Sequence, residues 1–133
     1  MAALGLGQRV HFLGALPPEE VQRAVAAADV MVLATSNEGW ANVLLEALAC
    51  AVPVVATDVG GNAEVISRAD LGTIVPFGDH AALLAAIRDA LQRDWDRASI
   101  RRYAEENDWS TRVPILVREF QRIAAVTGEA TDA

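Results

Sequence analysis

Lysine is absent from this chain, and cysteine occurs only once, at Cys50. A single cysteine excludes an internal disulfide and any metal site built from several thiolates. The 11 basic residues are all arginine, 18 acidic residues outnumber them, and the net charge is −7. Such an acidic chain is poorly suited to bind nucleic acid or an anionic membrane surface. We therefore expect neither a nucleic acid nor a metal ion among its partners.

Long apolar runs and an apolar leader are missing as well. No run approaches the roughly 20 residues that a membrane-spanning helix needs. No charged-then-apolar segment opens the chain, so we expect no transmembrane segment and a cytoplasmic location. Hydrophobic residues nevertheless make up 53% of the 133 residues. A chain of this size and composition is expected to fold as one domain around its own core.

Apolar runs typical of strands alternate with amphipathic stretches typical of helices. The alternation predicts the α/β class: a Rossmann-like parallel sheet with helices on both faces. We expect one domain over residues 1–126 and a frayed tail over 127–133. The predicted strands are residues 9–14, 30–34, 53–57 and 72–76, and the predicted helices lie near 16–28, 43–50, 63–68, 81–92, 98–107 and 113–126.

Glycines and polar side chains collect in three loops that follow predicted strands. These loops are Gly14-Ala15, residues 36–42 and residues 58–62. In parallel sheets with helices on both faces, ligands bind at the carboxyl ends of the strands. The three loops together therefore indicate a ligand site at that edge of the sheet.

Two glutamates eight residues apart, Glu38 and Glu46, belong to this region. Glu38 lies in a polar turn, whereas Glu46 interrupts the apolar helical stretch 43–50. A carboxylate among apolar neighbours is costly to bury unless something donates hydrogen bonds to it, as sugar or ribose hydroxyls do. The alternative is that Glu46 lies on a narrow exposed stripe of the helix and has no role.

Four segments, in their order and spacing, resemble the carboxyl-terminal, donor-binding domain of retaining GT-B glycosyltransferases of the group 1 or family 4 type. The segments are Val10 to Gly14, the E-x7-E pair Glu38 and Glu46, residues 47–57, and residues 60–66. The E-x7-E pair alone is a weak signal, because two acids eight apart occur often by chance. The ordered set is specific, and it covers about half of the chain.

The resemblance implies a role for each site residue. Glu38 would be the catalytic residue that contacts hydroxyls of the donor sugar, and Glu46 would hold the ribose hydroxyls. Gly14 and Ala15 would border the nucleobase. Backbone amides at the start of the following helix would meet the sugar and the phosphates, since such amides favour anions. These amides belong to Gly39, Trp40, Ala41, Asn42 and Val43, while Gly60 and Gly61 would let the backbone approach the donor closely.

Several features of the family have no counterpart in this sequence. The acceptor-binding amino-terminal domain, the first two strands of the donor domain and the basic residues used on the diphosphate have no match. We therefore expect a missing domain or a companion chain to supply them, and we expect the chain alone to be inactive. Ala41 and Ala51 stand where the family often has glycine, and Ala51 could adopt a positive φ only at a cost.

The sequence thus predicts the donor-binding part of an enzyme that transfers a sugar from a nucleoside-diphosphate sugar, with no cofactor beyond this donor. One alternative is a non-catalytic, dimeric remnant of that domain. Another is an unrelated Rossmann-type enzyme such as an epimerase, which the lack of a G-x-G-x-x-G fingerprint disfavours. A two-strand gap is expected between residues 10–13 and 30–34. Direct pairing of these strands or a second copy of the chain would close it, and we favour a homodimer.

Overall fold

The computed structural model describes residues 4–129, with side chains as far as residue 125. Within this range three strands alternate with helices, and two further helices follow. The elements are α1 (Pro18–Ala26), β1 (Met31–Leu33), α2 (Asn42–Ala49), β2 (Val54–Thr57), α3 (Asn62–Val65), β3 (Gly72–Val75), α4 (His80–Gln92), α5 (Arg97–Glu106) and α6 (Trp109–Glu129).

The three strands form one parallel sheet in the order β1-β2-β3. Met31 pairs with Val54, and Val54 pairs with Gly72 on its other side. All four residues of the central strand β2 are buried. A strand covered on both faces is expected to be apolar, and residues 53–56 of the predicted strand 53–57 meet that expectation.

Helices cover both faces of the sheet, as the sequence predicts. On one face, Val54 and Ala56 pack with Leu44 and Leu48 of α2 and with Ile100 of α5. On the opposite face, a smaller cluster contains Val55 and Val75 from the sheet and Ala86 and Ala90 from α4. Successive residues of β2 alternate between the two clusters because side chains of a strand point to opposite faces in turn. The predicted α/β class is confirmed.

Asp79 directly precedes the amphipathic stretch 81–92, which predicts it as the cap of α4; the structure confirms this cap, and α6 begins with a similar arrangement. The Asp79 carboxylate accepts a hydrogen bond from the Ala82 amide at 2.8 Å. Helix α6 begins at Trp109, earlier than the predicted residue 113. There the Asp108 carboxylate accepts hydrogen bonds from Ser110 Oγ and the Thr111 amide, and these bonds lower the Asp108 pKa. Helix α6 runs to Glu129, and residues 130–133 of the expected frayed tail lie outside the described part of the chain.

The first predicted strand, residues 9–14, is wrong: the described residues 10–14 have no regular secondary structure. Phe12 is 85% exposed and Leu13 is 59% exposed. A strand needs a partner for its backbone N–H and C=O groups, and none of the three strands of the described sheet pairs with this segment. Direct pairing with the strand 30–34 was the less favoured of the two ways to close the expected gap, and it is absent among the described residues.

Strand β1 is also less covered than its sequence suggests. The run 30–34 predicts burial on both faces, whereas β1 comprises only Met31–Leu33, and Val32 is 40% exposed. Among the described strands β1 lies at an edge of the sheet, next to β2. An edge strand has fewer neighbours on both faces than a central one, so its side chains remain partly open.

Ala51 adopts a left-handed backbone conformation, with φ of 61°. For a residue with a Cβ this conformation costs about 1–2 kcal/mol, whereas glycine adopts it freely. We expect Ala51→Gly to raise the free energy of unfolding by about 1 kcal/mol, after allowing for the larger entropy of glycine in the unfolded chain. Urea unfolding followed by circular dichroism measures this change.

Ala85→Gly is the matched control, because Ala85 is an exposed residue within helix α4. Glycine there should lower the free energy of unfolding by about 1 kcal/mol. The same substitution is thus expected to raise the free energy of unfolding at residue 51 and to lower it at residue 85. A loss of stability in both variants would show that Ala51 carries no conformational strain.

Candidate functional site

Two of the three predicted loops meet at the carboxyl edge of the sheet. The Gly61 amide donates a hydrogen bond to the Gly39 carbonyl at 2.8 Å. Gly60, with φ of 52°, lies so close to the turn after β1 that a Cβ on it would fall 1.9 Å from the Glu38 carbonyl oxygen. A Cβ on Gly61 would lie 2.8 Å from Cε3 of Trp40. The two glycines therefore allow the backbones of the two loops to touch.

Two buried polar residues link the ends of β1 and β2 to the glycine loop, and neither is among the predicted site residues. Thr57 ends β2, and its hydroxyl donates to the Thr35 carbonyl at 2.6 Å. Asn62 begins α3, and its Nδ2 donates to the Thr57 carbonyl at 3.0 Å. The sequence places Thr57 at the end of a predicted strand and Asn62 at the end of a predicted loop, and it indicates no further role for either residue. A threonine at the end of an apolar strand and an asparagine after a glycine pair are the only signals that the sequence offers.

Helix α2 begins at the same edge, because it follows β1 through the Glu38 turn. Its N-cap residue is Ala41, which is buried and has no side chain able to cap the helix. The first amides of α2, including those of Asn42 and Val43, consequently donate no hydrogen bond to a capping side chain. Uncapped amides at a helix N-terminus can accommodate an anion.

The two glutamates differ in exposure. Glu38 is half-buried, whereas Glu46 is exposed. The expected burial of Glu46 is therefore wrong, because the buried face of α2 consists of Leu44, Ala47 and Leu48. The exposed stripe considered as an alternative describes its position, while a role in binding ribose stays a prediction.

Glu46 lines a groove of about 520 Å³ between α1 and α2. The segment that follows the predicted loop Gly14-Ala15 reaches the same groove, since Leu16 and Pro18 also line it. Gly14 and Ala15 themselves are exposed, and a Cβ on Gly14 would meet no atom within 4 Å. The loop Gly14-Ala15 therefore lies near the groove of Glu46. Unlike the loops 36–42 and 58–62, which contact each other, it does not pack closely against another loop. The remaining lining residues are Val21, Gln22, Val25, Ala49 and Cys50.

A second groove, of about 390 Å³, begins at Trp40 and Asn42 and continues to the start of α6. Trp40 is 51% exposed and Trp109 is 75% exposed. Trp109 is therefore not a packing anchor in this structure. Trp95, by contrast, packs against the core, and its Nε1 donates to the Ala90 carbonyl at 2.8 Å.

The described residues contain no group of three or more His, Cys, Asp or Glu that could hold a metal ion. The expected absence of a metal and of a cofactor stays a prediction. No helix within the described range is both long and apolar enough to cross a membrane.

Comparison with known proteins gives one family match. Residues 1–107 match the family model described as "Glycosyl transferases group 1". The chain is 32% identical, over 130 residues, to a D-inositol 3-phosphate glycosyltransferase of Corynebacterium urealyticum. The aligned region covers 95% of this chain and 31% of that protein. It is also 32% identical to a phosphatidyl-myo-inositol mannosyltransferase of Mycobacterium leprae, over 90% of this chain and 33% of that protein.

The solved structure of a sucrose-phosphate synthase from Thermosynechococcus elongatus is similar in fold. Its TM-score is 0.72 at 28% sequence identity, and the match covers 94% of this chain and 33% of that one. The chain thus spans about a third of the length of these relatives.

Proposed function

We propose, since this chain belongs to the glycosyl transferases group 1 family, that it is the donor-binding part of a retaining glycosyltransferase. The full enzyme would move a sugar from a nucleoside-diphosphate sugar to an acceptor. The names of the relatives support sugar transfer. The nucleotide-sugar donor and the retention of configuration rest on the resemblance of the E-x7-E segment. No comparison favours the non-catalytic remnant.

The observation that carries the proposal is the contact between the two loops at the carboxyl edge. The Gly61–Gly39 hydrogen bond holds the Glu38 turn against the Gly60 loop, where open parallel sheets bind their ligands. Such a contact fixes Glu38 relative to the start of α2. A carboxylate and a set of free amides held at a constant separation suit a ligand that carries both hydroxyls and phosphates.

Each element of the edge then has a role in binding the donor. The Glu38 carboxylate accepts hydrogen bonds from hydroxyls of the transferred sugar, and the amides from Gly39 to Val43 face the sugar and the diphosphate. Glu46 accepts the two ribose hydroxyls within its groove. The segment from Gly14 to Leu16 borders the nucleobase at the other end of that groove.

The rest of the machinery must come from elsewhere. Because the chain spans about a third of its relatives, we propose that the acceptor site and the cationic groups for the diphosphate belong to a further domain or a companion chain. Neutralising the charge of the leaving diphosphate is a large catalytic contribution, so we expect this chain alone to bind the donor weakly and to transfer no sugar. A homodimer and a cytoplasmic location stay predictions.

Ligand-observed NMR tests the proposal, because saturation-transfer signals detect weak binding and report on each part of a ligand. Uridine, guanosine and adenosine diphosphates and their hexose conjugates are the probes. We expect one base to give signals, with Glu46→Gln weakening binding at least about 10-fold through the ribose and Glu38→Gln weakening it through the hexose. Both substitutions keep the shape of the side chain and remove its charge.

Glu105→Gln is the control variant, since Glu105 is an exposed residue of α5 and lies outside both grooves. It should bind the probes like the unchanged chain. If none of the probes binds, or if the two site variants bind as the control does, the donor-binding proposal is wrong.

A further inference from the structure

A short chain of buried hydrogen bonds links the ends of β1 and β2 to the glycine loop. The Thr57 hydroxyl donates to the Thr35 carbonyl beyond β1, at 2.6 Å. The Thr57 carbonyl accepts both the Val59 amide, at 3.0 Å, and Asn62 Nδ2, also at 3.0 Å. These bonds close the loop from residue 57 to residue 62 and attach it to the segment that leads to Glu38.

The loop closed in this way is the one that touches the Glu38 turn. Between Thr57 and Asn62 lie Gly60, which is in contact with the Glu38 backbone, and Gly61, whose amide donates to the Gly39 carbonyl at 2.8 Å. The turn is thus held from two sides: from below by Thr57 through Thr35, and from the side by the glycine pair. Movement of Thr57 or Asn62 would shift the position of Glu38.

Burial of these polar groups lowers the stability of the folded chain, so the arrangement is unfavourable if it serves the fold alone. Thr57 is 4% exposed and Asn62 is fully buried. Asn62 Oδ1 and Thr35 Oγ1 are buried without a hydrogen-bond partner among the described residues. A partly satisfied polar network is less stable than an apolar replacement of the same shape. Buried residues that are not the most stabilising ones for the fold are expected where the residues of a functional site must be held in position.

We propose that Thr57 and Asn62 are positioning residues, which hold the Glu38–Trp40 turn in place for the donor by closing the Gly60-Gly61 loop. They do not touch the donor themselves, because both are buried beneath the loop. The part of this inference that concerns the donor rests on the proposed function. The part that concerns the turn stands on the hydrogen bonds alone.

Hydrogen exchange of single amides, measured by NMR on the 133-residue chain, separates positioning from general stability. The Gly61 amide reports on the contact between the loops, and the Val55 amide in the middle of β2 reports on global opening. We expect Thr57→Val and Asn62→Leu to accelerate exchange at Gly61 about 10-fold more than at Val55, since each removes a hydrogen bond while keeping the volume similar.

Two matched variants sharpen the test. Thr57→Ser retains the hydroxyl and should keep the ratio of the two exchange rates within about 3-fold of the unchanged chain. Thr73→Val makes the same substitution at an exposed position of β3, where no hydrogen bond of the side chain is present, and should leave the ratio unchanged. Should Asn62→Leu fail to fold, the near-isosteric Thr57→Val alone decides the outcome.

The same variants are then titrated with the nucleoside-diphosphate hexoses. Weaker binding of the hexose part by Thr57→Val, with recovery in Thr57→Ser, supports the role towards the donor. Equal acceleration at Gly61 and Val55 would overturn the inference, because the network would then stabilise only the fold. Selective loosening at Gly61 with unchanged donor binding would also overturn it. Selective loosening in a chain that binds no donor at all would retain the positioning of the turn and reject the proposed function.

Discussion

Gly60→Ala is expected to weaken binding of the nucleoside-diphosphate probes at least about 10-fold while the chain remains folded. The new Cβ would lie 1.9 Å from the carbonyl oxygen and 2.7 Å from the carbonyl carbon of Glu38. Backbone atoms cannot rotate away as a flexible side chain does, so either the Glu38 turn or the glycine loop must move. The φ of 52° adds about 1–2 kcal/mol of strain for alanine. Saturation-transfer titration and thermal unfolding measure the two effects.

Gly78→Ala separates the collision from the strain. Gly78 also has a positive φ, of 83°, but a Cβ on it would meet no atom within 4 Å. This variant should lose about 1–2 kcal/mol of stability and bind the probes normally. If Gly60→Ala also bound them normally, the close contact between the two loops would have no importance for the ligand.

The central part of the fold could be predicted because its sequence signals are local. Residues 54–56 of strand β2 form an apolar run with proline directly before it, and this composition is typical of a strand buried on both faces. Asp79 could be identified as the cap of α4 for a similar reason, since one side chain and one amide three residues later suffice. Neither feature depends on distant parts of the chain.

The segment before α1 could not be predicted in the same way. Val10, Phe12 and Leu13 have the composition of a strand, yet a strand exists only where another strand offers its backbone groups. In the described sheet β1 pairs with β2, β2 pairs with β3, and no pairing reaches residues 10–14. The preference of the sequence for extended structure is therefore not realised, and Phe12 remains 85% exposed.

The sequence predicts which loops form the site, but it does not predict how these loops contact each other. Glycines at 60 and 61 predict close approach to a ligand, which stays a prediction; in the structure they also allow two backbone segments to approach each other. This contact joins residues about 20 positions apart, so no local pattern reveals it. Glu46 was misjudged because its apolar sequence neighbours on α2 do not all point to the same side. Leu44, Ala47 and Leu48 form the buried face of α2, and their i, i+3, i+4 spacing leaves Glu46 on the other side of the helix.

Gly72→Ala should cause the largest loss of stability. Gly72 begins β3 and pairs with Val54 in the middle of the sheet. A Cβ on it would lie 1.9 Å from the Val54 carbonyl oxygen and 3.0 Å from the Val54 amide nitrogen. Because both neighbours belong to the backbone of the fully buried strand β2, relief requires β3 to move away from it. We expect a loss of at least about 3 kcal/mol, which corresponds to a melting temperature about 10 °C lower for a chain of this size.

Gly7→Ala adds the same methyl group where a Cβ would meet no atom within 4 Å, and its φ does not lie in the left-handed region. It should change the free energy of unfolding by less than about 1 kcal/mol, with a small gain in stability as the expected sign. Differential scanning calorimetry compares the two variants under the same conditions. Equal melting temperatures would mean that the β2–β3 pairing tolerates a side chain at this position. The loss expected in Gly72→Ala follows from collision alone, because Gly72 has no positive φ that could add conformational strain.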